Sequence, residues 1–389
     1  MQHSVAVVAP GFESVAEYFE QGVAQDPGLS AQLTVYVGGA PVLDLAAGEL
    51  KAGEMLRTDA LHAVFSVSKG LGSLVVARLV QDGLLDPALP VAEYWPEFAA
   101  AGKERVTVDQ LLSHQAGLLG PAGGLAMEDI LGSRPAAAVL ASLAPQWTPG
   151  VAFGYHALSF GTLLEELVLR VSGHRAQELY EEWFRAPSGA EAWLGLPAEE
   201  RPRYVDVPST GGQEFVDPLG LDGLAVNSTA GFVTPRGERS FELLGVPNHP
   251  LVQQAGPVAL GGVATAHGLA RVYAAAATGL VRADGTRSEP LLRAETLAEV
   301  TRDRVYGLDR IGGTLKAFGL GFMRPHPQND FGSASAFGHD GANGTVSFAD
   351  PSWGVAFGYL PFSPRPGSNG SLPQRVSVQL RKALMALAG

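Results

Sequence analysis

The run F-S-V-S-K-G-L-G-S-L-V-V-A-R-L-V-Q, Phe65 to Gln81, decides how the chain is read. Val67, Leu71, Leu74, Val75 and Leu79 recur at helical spacing and form one apolar stripe, which Val76 and Val80 widen. The opposite side carries Ser66, Lys69, Gly70, Ser73 and Ala77, all small or polar. The spacing predicts a helix that starts near Ser66 and stops at Gly83, with Asp86-Pro87 just beyond. A helix apolar nearly all round is a buried one, and lysine is seldom fully buried without a partner. Lys69 stands one turn after Ser66, so both side chains leave the first turn on one face. That turn also offers free backbone N–H groups and the positive end of the helix dipole. A lysine kept out of water loses part of its preference for the charged form and can take a proton from a neighbouring serine, a weak nucleophile without such a base. The bare S-x-x-K spacing is also compatible with Ser66 as an ordinary N-cap and Lys69 snorkelling to solvent. Context has to decide between them.

The chain has 389 residues, enough for two lobes or for one large domain carrying an insertion. Hydrophobic residues make up 46% and charged residues 17%, which provides for a sizeable core and excludes wholesale disorder. A net charge of −12 gives no electrostatic reason to hold a phosphate backbone or an anionic membrane, so nucleic acid and membrane are excluded as partners. Cysteine is absent, which removes thiolate nucleophiles, disulfides and cysteine-ligated metals. The first basic residue is Lys51, and the uncharged stretch from Pro135 to Leu164 is broken by prolines and glycines. A cytoplasmic protein is the resulting expectation.

Outward from the helix, Gln32–Val37 and Pro41–Ala46 read as a hairpin closed by Gly38-Gly39-Ala40. Thr107 to Leu112 reads as a capped helix start, with Thr107 at the N-cap and Gln110 at its third position. Gly161–Ser172 and Thr265–Thr278 are further helices. Strands are expected at Phe318–Met323, Ala336–His339, Thr345–Ala349 and Gly354–Leu360, and a last helix at Leu372–Leu387. The expected fold is mixed α/β. One mainly antiparallel sheet is built from both termini (residues 1–85 and 281–389), flanked by helices, and a mainly helical domain (86–280) is inserted between.

Three more segments, in order, complete a pattern. Phe65-Ser66-Val67-Ser68-Lys69-Gly70 is followed by Leu111-Leu112-Ser113-His114-Gln115-Ala116-Gly117-Leu118, by Pro149-Gly150-Val151-Ala152-Phe153-Gly154-Tyr155, and by His339-Asp340-Gly341-Ala342-Asn343-Gly344. Together they resemble the serine β-lactamase and penicillin-binding-protein superfamily, with its S-x-x-K, L-L-x-H-x-x-G-L, tyrosine and K-T-G motifs. Within it the sequence is most similar to the family VIII carboxylesterases, cousins of class C β-lactamases. The resemblance implies a β-lactamase-like fold and an acyl-enzyme on Ser66, with Lys69 as the base and Tyr155 relaying the proton. It also implies an oxyanion hole from the N–H groups of Ser66 and Ala342, and His339, Asp340 and Gly341 beside the substrate.

Two departures bear on the substrate. The superfamily's Y-x-N reads Tyr155-His156-Ala157, and K-T-G reads His339-Asp340-Gly341, so a titratable imidazole stands where a fixed positive charge often faces a substrate carboxylate. Both favour an uncharged ester over an anionic lactam or peptide, and the resemblance implies short or medium acyl chains. His339 is also readable as a structural histidine, and His114 as one that fixes a loop or helix end. There is no G-x-S-x-G elbow, H-E-x-x-H, P-loop or G-x-G-x-x-G, so a mechanism free of metal and cofactor is expected. The rival readings are an amide hydrolase on the same machinery (β-lactamase, D-amino-acid peptidase or linear amide hydrolase), an acyltransferase using the same acyl-enzyme, and a binding protein that kept the fold.

Overall fold

A computed structural model of the protein describes residues 3–208, 217–227, 232–233, 239–240, 243–364 and 371–388. Strands β1 (His3–Val8), β2 (Ala31–Val37) and β3 (Ala40–Ala47) come from the N-terminal part of the chain. Gly38 and Gly39 both take positive φ, 58° and 84°, the two-residue turn whose twist matches the strands it joins. Past helix α1 (Glu13–Gln25) and this hairpin, β4 (His62–Phe65) runs straight into α2 (Val67–Gln81), the helix read from sequence. Helices α3 (Val108–Leu112) and α4 (Ser159–Ser172), strands β5 (Ala192–Leu194) and β6 (Gly262–Ala264), and helix α5 (Ala266–Ala277) follow. The C-terminal part adds the hairpin β7 (Val305–Leu308) and β8 (Leu315–Phe318), then β9 (Phe337–Asp340), β10 (Val346–Asp350), β11 (Val355–Pro361) and helix α6 (Leu372–Ala388).

The main sheet has the order β1-β3-β2-β11-β10-β9, antiparallel throughout. Its two halves meet where β2 pairs with β11, so the chain closes the sheet from both ends. Side chains alternate across it. Leu33, Val35, Phe357 and Tyr359 face α1 and α6 in one apolar cluster. On the other face Ala356 and Gly358 are small, and a Cβ at Gly358 would lie 2.3 Å from the Ala266 carbonyl, so α5 lies directly on the strands. That helix falls within the segment 86–280 expected to form the inserted domain, yet it packs on β2, β10 and β11 and belongs to the sheet layer. Its Thr265 cap accepts the Gly268 N–H at 2.9 Å, and the Thr107–Gln110 capping box closes with two bonds of 3.1 Å.

One expected strand is corrected. Residues 318–323 are not a strand beyond Phe318, because Gly321 adopts φ 79° and its carbonyl turns inward to accept the Ser73 hydroxyl at 3.0 Å. Among the described residues no helix is long and apolar enough to cross a membrane.

Helix α2 is buried along nearly its whole length. A Cβ at Gly70 would meet the Tyr273 hydroxyl at 2.3 Å, and one at Gly72 would meet Val258 at 2.5 Å, so glycines on two sides of the helix set how closely its neighbours approach. The β9–β10 turn docks just as tightly onto β4, where a Cβ at Gly341 would sit 2.6 Å from the Val64 carbonyl. Gly341→Ala is therefore expected to destabilise the protein by about 1–3 kcal/mol, seen as a lower urea midpoint at unchanged slope.

Candidate active site

Phe65, the last residue of β4, is held at φ 49°. For an aromatic residue this left-handed conformation costs about 1–3 kcal/mol and persists only where the surroundings enforce it. It turns the chain sharply from strand into helix and leaves Ser66, at the head of α2, half-buried. One turn on, Lys69 is completely buried. Its Nζ donates to the Ala259 carbonyl at 2.8 Å and lies 3.0 Å from Ser66 Oγ. Burial drives the Lys69 amine from its ordinary 10.5 down to about 7, against the attraction of Asp340. A neutral amine has one lone pair; with an N–H bonded to Ala259, that lone pair is free for the serine proton.

The phenol of Tyr155 completes the group. Lys69 Nζ lies 5.1 Å from its ring centroid. The hydroxyl is out of solvent and closes no hydrogen bond among the described residues, while Ser66 is close enough to favour its ionised form. Burial outweighs that influence and raises the phenol well above its ordinary 10. Ser66, Lys69 and Tyr155 thus share one contact zone, and the Lys69 amine faces protein instead of solvent.

Residues 15–376 match the family model described as Beta-lactamase. The chain belongs to the β-lactamase family. It is 35% identical over 337 residues to the Esterase/beta-lactamase LipL of Mycobacterium tuberculosis, covering 84% of this chain and 75% of that protein. Among solved structures, EstA of Arthrobacter nitroguajacolicus Rue61a is 43% identical with a TM-score of 0.91 and full coverage of both chains. A family VIII carboxylesterase is 30% identical with a TM-score of 0.82, covering 99% of this chain and all of the other.

The remaining expected site residues divide. The His339 side chain is fully shielded from solvent, with Nδ1 2.7 Å from the Asp340 carbonyl oxygen. Burial and the nearby Lys69 push it down to about 3, so it stays neutral and presents no titratable charge to the cleft. Asp340, next along β9, is half-buried with Oδ2 accepting from Asn329 Nδ2 at 3.3 Å. Gly341 makes the close approach to Val64, and Ala342 is exposed in the turn with its N–H unengaged among the described residues. Asn343 is more than a turn former. It is fully buried, donates to the Ala63 carbonyl at 3.1 Å and accepts the Thr345 hydroxyl at 2.8 Å, which locks the turn to β4.

His114 fixes the tyrosine loop, as its structural reading expects, but sequence reasoning missed the other supports of Tyr155 and Lys69, Asp309 and Glu165. The N–H groups of residues 154, 155 and 156 are bonded in turn by the His114 carbonyl (3.1 Å), Asp309 Oδ1 (2.6 Å) and His114 Nδ1 (3.1 Å). The His114 ring also packs 5.0 Å from that of Tyr155. Asp309 is buried between β7 and β8 and takes the Gly312 N–H on its other oxygen at 2.8 Å, tying the hairpin to the tyrosine. Glu165 of α4 is likewise buried and accepts the Val258 N–H at 2.7 Å, fixing the backbone beside the Ala259 carbonyl that receives Lys69. The cue for Asp309 was a lone acid before Gly312-Gly313 between two β-prone runs, and by itself that pattern says only turn.

Replacing Asp309 by Ala leaves the Tyr155 N–H unpaired, a loss of about 1–3 kcal/mol of positioning. Asp309→Ala is expected to slow fluorophosphonate labelling of Ser66 about tenfold or more, yet to add little in a Tyr155→Phe background. Equal effects in both backgrounds would show that Asp309 does not act through the tyrosine.

Proposed function

We propose that the protein hydrolyses carboxylic esters through a covalent acyl-enzyme on Ser66. The observation that carries this is the buried Lys69 amine, brought to about 7 and set 3.0 Å from the Ser66 hydroxyl. Lys69 accepts the Ser66 proton as Oγ attacks the ester carbonyl carbon. The carbonyl oxygen becomes an oxyanion, held by the N–H groups of Ser66 and Ala342, a type of interaction worth about 2.7–4 kcal/mol per donor. The proton passes through the Tyr155 hydroxyl to the departing alkoxide as the C–O bond breaks. Water then attacks the acyl-enzyme, gives its proton to the same pair, and the acid leaves with Ser66 restored.

The two bases are not interchangeable. The same burial lowers a cationic acid and raises a neutral one, so at neutral pH Lys69 is substantially unprotonated and Tyr155 is a phenol. Lysine is therefore the base and tyrosine the conduit. The segment that follows the tyrosine is apolar: Ala157, where the superfamily has asparagine, packs against Leu119, Leu224 and Ala225. His156 occupies the intervening position with both ring nitrogens engaged by the backbone, at Gly154 (2.7 Å) and Leu118 (2.9 Å). The esterase names of the relatives above support ester over amide as the bond cleaved.

Ser66→Ala is expected to abolish turnover of 4-nitrophenyl butyrate, and intact-protein mass spectrometry of the wild type to show a butyryl adduct that maps to the Ser66 peptide. Retained turnover in Ser66→Ala, or an adduct elsewhere, would remove the mechanism. Because Lys69 must be neutral, kcat/KM should fall about tenfold per pH unit below roughly pH 7 and level off above it. Lys69→Met should abolish turnover and raise the melting temperature at pH 6. Burial disfavours the lysine's charged form, so the native amine costs most below about pH 7, and that cost fades as pH rises toward 10.5.

A further inference from the structure

The β7–β8 hairpin brings a second lysine to the tyrosine. Lys316 stands two residues before Phe318 on β8, so both side chains share one strand face. The Phe318 ring lies nearly parallel to that of Tyr155, 8° between planes with centroids 6.0 Å apart, and Lys316 Nζ lies 5.5 Å from the same Tyr155 centroid. Two amines therefore flank one phenol ring, Lys69 from the helix and Lys316 from the hairpin.

Lys316 differs from the other cations of this region. Arg304 is bound by Asp109 at 2.6 Å and Glu299 at 2.5 Å, and Arg324 by Asp303 at 3.0 Å and by backbone carbonyls. Lys316 is half-buried, and among the described residues its nitrogen has no hydrogen bond and no carboxylate within 4.0 Å. Lys316 attracts Asp340, but that acid lies beyond ion-pair range and is engaged by Asn329. The imidazoles close by are neutral: His339 is pushed down to about 3 and His156 to about 4, and His114 and His326 also lie below the ordinary value, all chiefly by burial. In a chain of net charge −12, a half-buried ammonium left unpaired beside the reacting groups is an exception to how such charges are accommodated.

We propose that Lys316 is a substrate-recognition residue that binds a carboxylate, so that the site favours esters bearing an anionic group over their neutral isosteres. The inference rests on the Ser66–Lys69–Tyr155 reading and revises the expectation drawn from the missing lysine of the K-T-G motif. A carboxylate that reaches Lys316 replaces lost hydration of the ammonium in a site partly shut off from water, where such a pair is stronger than on an open surface. The ring that links the two amines is that of Tyr155, backed by the fully buried Phe318.

The test compares matched esters on the full-length enzyme, with active sites counted by fluorophosphonate labelling of Ser66. One arm pairs 4-nitrophenyl hemisuccinate with 4-nitrophenyl butyrate and places the carboxylate on the acyl side. The other pairs 4-carboxyphenyl butyrate with phenyl butyrate and places it on the leaving alcohol. In Lys316→Met the anionic-to-neutral ratio of kcat/KM should fall about tenfold or more in at least one arm, fall further in Lys316→Glu, and hold within about threefold in Lys316→Arg. Lys316→Gln serves if the Met variant does not fold. A ratio that stays level across this series in both arms would overturn the inference while Ser66 labelling persists. Loss of the label in the wild type would instead sink the hydrolase reading beneath it.

Discussion

Everything in the site depends on keeping one amine out of water. A shift of the Lys69 nitrogen from 10.5 to about 7 corresponds to roughly 5 kcal/mol of folding free energy forgone near neutrality. That cost explains the construction around it. Helix α2 is embedded on nearly all sides, Gly70 and Gly72 let Tyr273 and Val258 come against the helix, and Glu165 holds the loop whose Ala259 carbonyl is one of the amine's two polar contacts. A looser packing would admit water and return the lysine to its charged form. The stability forgone at one nitrogen is offset by a core gathered around the helix that bears it.

Burial also divides the labour between two groups of opposite charge type. Removing solvent penalises an ammonium and a phenolate alike, so the lysine becomes a base and the tyrosine remains an acid. In the proposed mechanism Tyr155 passes a proton only if its hydroxyl is fixed relative to Ser66, and nothing on its own segment supplies that. The backbone N–H groups on either side of it, and its own, are all taken by two distant residues, His114 and Asp309. The L-L-x-H segment and the β7–β8 hairpin thus hold residue 155 both by its main chain and by its ring, against which His114 and Phe318 pack. The same hairpin delivers Lys316, so one element both seats the tyrosine and sets the charge beside it.

Much of this was legible in the sequence, for identifiable reasons. The apolar periodicity of 67–79 with Ser66 and Lys69 at its head gave the central helix, Gly38-Gly39 gave the first hairpin, and Thr107 and Thr265 gave two helix starts within a residue or two. Each is a local signal with a local cause. What was not legible depends on contacts between segments far apart in the chain. Residues 318–323 read as a strand from composition, but Ser73 of α2 captures the Gly321 carbonyl and bends them. His339 reads equally as a titratable group or as a structural histidine until the sheet closes over it and leaves it against the Asp340 carbonyl. Asp309, Glu165 and Asn343 are ordinary turn or helix residues in one dimension and become buried supports only in three. The positive φ of Phe65 has no sequence signature at all, since nothing about a phenylalanine favours it.

That last residue shows why the site cannot form piecemeal. The strained junction between β4 and α2 is held from outside by the β9–β10 turn, with Gly341 against the Val64 carbonyl and Asn343 bonded to Ala63. The turn is in place only when β9 has joined the sheet, and β9 hangs on β10 and β11, whose partner β2 lies near the other end of the chain. Residues 154–156 wait in turn for the hairpin that brings Asp309. Contacts of such long sequence separation are slow to form. The left-handed Phe65, the buried amine and the clamped phenol are each unfavourable alone. They coexist because each is enforced by contacts that the closed sheet brings in from distant segments of the chain.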